Sequence, residues 1–262
     1  MPHRIVLHAG FHKTGTTTVQ HFFRVNRRAL NRHMALRLRP QMIDLVHATR
    51  GYSTWRDPLT FDKVAARFDR LLDGLPDMPK RTLLISSEEL SGHLPGRDDL
   101  ENYSGAIDLH YLMVTRLRDR FPSSEIVLFF STRDPDDWLQ SAYWQHVKSS
   151  SLTLDFEAFA QRYSGAADLD AIVDDVAARV PCITRRMRLE ACAALPFGPA
   201  SPLLDICDIP GPVRATLTPP ARMNTRPDLT VLLQLLTANR TYDDPEARRA
   251  AKNAILDKAR QR

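Results

Sequence analysis

Long apolar runs are missing from this chain. No stretch approaches the ~20 consecutive apolar residues that cross a bilayer core, so no transmembrane segment is expected. The apolar run at Ile5 begins almost at once with no signal-type segment before it, and the expectation is a cytoplasmic protein. Cysteine is scarce. Cys182, Cys192 and Cys207 are three, an odd number in spacing unlike a metal site, which argues against a disulfide framework or a zinc centre and leaves buried thiols. Lysine occurs six times against thirty arginines, and the net charge of +5 suits anionic ligands, although a GC-rich coding sequence explains the arginine bias equally well. What is lacking is a basic stripe with interleaved aromatics. The arginines are scattered among 31 acids, so nucleic acid is not an expected partner.

The chain has 262 residues, 43% of them hydrophobic, which is enough for a real core. The expectation is one domain over 1–262 with a helical C-terminal extension from about 221. Strands are expected at Arg4–His8, at Thr82–Ser86 and over 126–131, with helices over 16–30 and 106–121 and amphipathic stretches at 42–47 and 61–72. A further helix over 136–148 has Asp136 as its expected N-cap, and a basic helix closes the chain over 246–262. Strands alternating with helices predict an α/β fold: a mainly parallel central sheet with helices on both faces, and a largely helical C-terminal part. Ligands in such sheets collect beyond the carboxyl ends of the strands, which puts the loops after His8, Ser86 and Ser131 on one rim.

The first of these loops lies in HAGFHKTGTTTVQ, residues 8–20. Gly10 and Gly15 have the spacing of the nucleotide-triphosphate loop, but Thr16 stands where that motif has lysine, and the lysine sits inside the loop at Lys13. A strand, a glycine-containing turn and a helix N-terminus still make an anion site. The third loop, in STRDPDDWLQSAYWQ, places Arg133 and Ser141 eight residues apart, so a guanidinium fork and a hydroxyl can approach one anion. The second loop, SSEELSGH, offers Glu88 first and Glu89 second as a general base, with His12 as a third candidate; the two glutamates also read as a charge pair at a helix start. Trp138, Tyr143 and Trp144 at helical spacing read as core.

The segments HKTGTTT and RDPDDWLQSAYW resemble the 5′-phosphosulfate loop and the 3′-phosphate segment of sulfotransferases that use 3′-phosphoadenosine 5′-phosphosulfate, in order and spacing. The resemblance covers roughly the first 150 residues and then thins to RMNTRPD, which is similar to a late Asn-containing segment of bacterial members. It implies a P-loop-like three-layer fold. It implies that Lys13, Thr14, Gly15, Thr16, Thr17 and Thr18 hold the 5′-phosphosulfate, that Arg133 and Ser141 hold the 3′-phosphate, and that Arg222 and Asn224 lie near the nucleotide. The implied activity is metal-independent sulfuryl transfer to a hydroxyl or amine of a small-molecule, carbohydrate or lipid acceptor. A divergent kinase-like phosphoryl transferase and a non-catalytic adenine-nucleotide-binding module are the alternatives.

Overall fold

The computed structural model describes residues 1–220 and 228–260. Five parallel strands, β1 (Arg4–His8), β2 (Met34–Leu38), β3 (Thr82–Ser86), β4 (Glu125–Thr132) and β5 (Ile183–Arg188), lie in the order β2-β3-β1-β4-β5. Alternation along the strands divides the core. Ile5, Leu7, Leu83, Ile85, Leu128 and Phe130 face one side, where α3 (Ile43–Trp55), α4 (Pro58–Asp73), α5 (Ala106–Arg120), α6 (Pro135–Ser149), α7 (Phe156–Ala167) and α8 (Leu169–Arg179) pack. Val6, Leu84, Val127 and Phe129 face the other, covered by α1 (Thr16–Val25), α2 (Arg27–Leu30), α9 (Ser201–Ile206) and α10 (Gly211–Arg214). The result is the three-layer α/β arrangement expected from the alternation of strands and helices.

Two strands were not legible in the sequence, and one expected helix is broken. Strand β2 is five residues long, and β5, ITRRMR, is an exposed edge with no apolar run. The helix expected over 16–30 divides at Asn26, whose amide donates to the carbonyls of Phe22 and Thr218, each at 3.0 Å, and accepts from the Thr218 N–H at 2.8 Å. The N-cap of α6 is Asp134 rather than Asp136. Its carboxylate accepts from the backbone N–H groups of Asp136 and Asp137 at 3.0 and 3.3 Å, because Pro135 occupies the first helical position, where a missing N–H costs nothing.

After the sheet, α11 (Leu229–Thr241) and α12 (Pro245–Arg260) form the helical C-terminal part, and α11 packs against α6. Among the described residues no helix is long and apolar enough to cross a membrane. Strand β1 lies between β3 and β4, so successive strands are added on opposite sides of it, and this is where the rim opens.

Candidate functional site

His8 ends β1, buried between the hydroxyls of Ser86 and Ser131, with Nδ1 2.8 Å from one and Nε2 3.0 Å from the other. Burial pushes its pKa down to about 3. It therefore ties the ends of β3, β1 and β4 together as a neutral ring. Just beyond, a Cβ on Gly10 would stand 2.9 Å from the Thr16 methyl and 3.0 Å from the His8 ring, so only glycine lets the chain turn so closely.

The turn into α1 then takes two left-handed residues, Lys13 at φ 68° and Gly15 at φ 89°. Such a conformation gathers backbone N–H groups into a concavity suited to an anion. Thr14 points inward and donates to the Phe11 carbonyl at 2.7 Å, Thr16 is buried, and Thr17 is exposed on the first turn. Gly15 occupies the N-cap of α1, no side chain among the described residues caps that end, and no acidic residue lies in its first turn. By contrast α4, α6, α7, α8 and α11 are each capped by an aspartate.

Helix α6 brings the third loop against the first. Arg133 donates from Nη1 to the Lys13 carbonyl at 3.0 Å, and Trp138 donates from Nε1 to the His12 carbonyl at 2.9 Å. Lys13 Nζ donates to Gln145 Oε1 at 3.2 Å. Ser141 stands between Trp138 and Gln145 at helical spacing, so it lies on the face of α6 that meets the loop. Trp138 and Tyr143 are buried in the core as expected, while Trp144 packs at its margin. Gln145 was missed in the sequence, although its position seven residues after Trp138 marks the same helix face. Glu190 was also missed; it lies 3.7 Å from Arg133 Nε and accepts from the Asp134 N–H at 3.3 Å, and no sequence signal marked the segment after β5.

The second loop separates its two glutamates. Glu88 accepts from Gln20 Nε2 on α1 at 2.9 Å and hydrogen-bonds Thr16. Burial, and then the charge of Glu89, raise its pKa. Glu89 is buried, and burial would raise its pKa too, but hydrogen bonds from Ser87 at 2.6 Å and Arg39 at 2.8 Å outweigh that and lower it. His12 lies 3.3 Å from the Tyr103 hydroxyl through Nδ1, and desolvation lowers its pKa to about 3. Lys13, Thr16, Arg133, Glu88 and His12 therefore converge on one rim. Arg222 and Asn224 lie outside the described residues.

A cavity of about 470 Å³, lined in part by Arg118, Glu125, Cys182 and Ile183, opens where β4 and β5 begin, at the end of the sheet opposite this rim. Among the described residues, no group of three or more His, Cys, Asp or Glu side chains is placed to hold a metal ion. No protein-family model matches the chain, and no curated protein matches it.

Proposed function

We propose that the rim binds 3′-phosphoadenosine 5′-phosphosulfate and that the protein transfers its sulfuryl group to a hydroxyl or amine of an acceptor. The observation that carries this reading is the N-terminus of α1, which no side chain among the described residues caps, entered through left-handed Lys13 and Gly15 and joined to Arg133 across 3.0 Å. Such a terminus suits a phosphate-like group, and an arginine fork suits a second phosphate nearby. In this reading the 13–18 segment holds the 5′ end of the donor, and Arg133 with Ser141 holds the 3′-phosphate.

The donor supplies an activated sulfuryl group with a phosphate as leaving group. Lys13 stabilises charge that develops on that leaving oxygen, an electrostatic role needing no metal ion. Glu88 takes the acceptor proton, because a raised carboxylate pKa makes a better base near neutral pH than Glu89, which is ion-paired, or His12, whose pKa of about 3 leaves it weakly basic.

Titration calorimetry with 3′-phosphoadenosine 5′-phosphate and with AMP, each with and without magnesium, tests the proposal. The 3′-phosphorylated nucleotide is expected to bind at least about tenfold tighter without magnesium, and Arg133→Ala to remove most of that preference, since a hydrogen bond to a charged group contributes about 1.5–3 kcal/mol. Equal affinity for the two nucleotides overturns the assignment. Binding that requires magnesium points to the kinase-like alternative.

A further inference from the structure

Beyond the Lys13 loop, positive side chains gather that the donor does not use. Arg50, on α3, lies 2.9 Å through Nη2 from His93 Nε2, and the His93 ring is 6.3 Å from the ring of His12. Arg97, in the turn that follows, donates to the Ser149 carbonyl at 3.1 Å and to the Ser149 hydroxyl. That hydroxyl also accepts from Gln145 at 3.1 Å, and Gln145 in turn receives Lys13. A hydrogen-bonded path thus runs from Lys13 through Gln145 and Ser149 to Arg97, and a ring path runs from His12 through His93 to Arg50.

These two guanidiniums are half-buried. Burial first, and then the charge of Arg50, lower the pKa of Arg97. Other arginines have carboxylates in ion pairs, as Arg39 has Glu89 and Arg56 has Asp108. Among the described residues neither Arg50 nor Arg97 forms an ion pair; Asp98 is the acid whose charge reaches Arg97. His93 adds no positive charge at neutral pH, because burial and Arg50 lower its pKa to about 4. Like charges in a partly dry site repel, and a bound anion relieves that repulsion.

We propose that Arg50 and Arg97, set around His93 beside the Lys13 loop, bind an anionic group of the acceptor, a carboxylate or a phosphate or sulfate ester. The acceptor class is then a hydroxy or amino compound that already carries negative charge. This rests on the sulfuryl-transfer reading, in which the anion anchors the acceptor while its hydroxyl meets the Lys13 and Glu88 loops. A neutral phenol or sterol lacks the group that this pair would hold.

The test is calorimetric titration at constant ionic strength, with 3′-phosphoadenosine 5′-phosphate saturating so that the donor subsites are filled. The probes are 4-hydroxyphenylacetate, 4-hydroxyphenyl phosphate and the neutral 4-hydroxyphenylethanol. At least one anionic probe is expected to bind about tenfold or more tightly than the neutral one, the worth of one charge-assisted hydrogen bond, and the stronger of the two identifies the anion. Arg50→Ala and Arg97→Ala should each remove most of the preference, with nucleotide affinity unchanged. Arg97→Lys, which keeps the charge, covers loss of folding in the alanine variant. Equal binding of all three probes, or a preference that survives both alanine variants, overturns the proposal. A nucleotide that fails to bind condemns the donor reading instead, and the same probes titrated without it still decide the role of Arg50 and Arg97.

Discussion

Glu88 and Glu89 are neighbours in sequence with opposite electrostatics, and the difference comes from what each side chain meets. Glu89 turns toward Arg39 and Ser87, and its pKa in the folded protein lies below the ordinary carboxylate value of about 4.3. It therefore contributes stability that is fully present above that ordinary value and lost as the pH falls through the lowered one. Glu88 turns toward α1, and its raised pKa has the reverse sign: its ionisation opposes folding as the pH climbs from the ordinary value through the raised one. At pH 7, Glu89→Gln is expected to cost about 1–3 kcal/mol, because buried partners lose a charged acceptor. That deficit should shrink as the pH falls toward and below 4. Glu88→Gln is expected to leave stability equal or higher at pH 7, while turnover falls by about a hundredfold or more and nucleotide affinity holds. Urea unfolding at several pH values, with turnover measured beside it, separates the two; a Glu88→Gln protein with unchanged turnover transfers the base to another residue.

Helix α1 depends on what precedes it. Gly15 adopts φ 89°, and a Cβ there would stand 2.8 Å from Leu189 Cδ1 in the segment after β5. Gly15→Ala is expected to cost about 1–3 kcal/mol through backbone strain, with weakened nucleotide binding because the N–H groups of the turn shift. Urea unfolding together with the nucleotide titration checks it, and full stability with full affinity would show that the turn tolerates a side chain. This turn was readable from its glycines, lysine and threonines, as were β1, β3 and β4, because those buried strands are apolar runs bounded by polar residues. Strand β5 was not readable, since its ladder with β4 is set by the sheet and its arginines pair with Asp170 and Asp174 on α8. The break at Asn26 was equally hidden: its partner Thr218 is 192 residues away. Glu190 belongs to the same class, because only tertiary packing brings it to Arg133, whereas Gln145 shares the helix face of Trp138.

Across the whole molecule, the C-terminal helices reach back to the helix that carries half of the site. Lys252 on α12 is buried, and its ammonium donates to the carbonyls of Val147 and Ser150 at 2.6 and 2.7 Å and to Asn239 Oδ1 at 2.8 Å. Val147 and Ser150 stand at the end of α6, where the last carbonyls of a helix lack partners of their own, and a cation there also meets the negative end of the dipole. Asn239 on α11 completes the clasp by donating to the carbonyls of Val147 and Leu152 at 3.1 and 2.8 Å. Ser149, which carries Arg97 and Gln145, sits inside this clasp, so the Arg97 side of the rim is braced from residues about a hundred positions downstream. Lys252→Met keeps the stem and removes three donors from a buried cluster, and is expected to cost about 2–4 kcal/mol, more than one ordinary hydrogen bond because the acceptors stay buried. Hydrogen exchange should accelerate in α11, in α12 and in the last turn of α6, and leave β1 and the first turn of α1 unchanged. The 3′-phosphorylated nucleotide should bind nearly as before, while the anionic hydroxyphenyl probe weakens. Uniform acceleration across the sheet, or none at α6, would show that the clasp does not brace the rim.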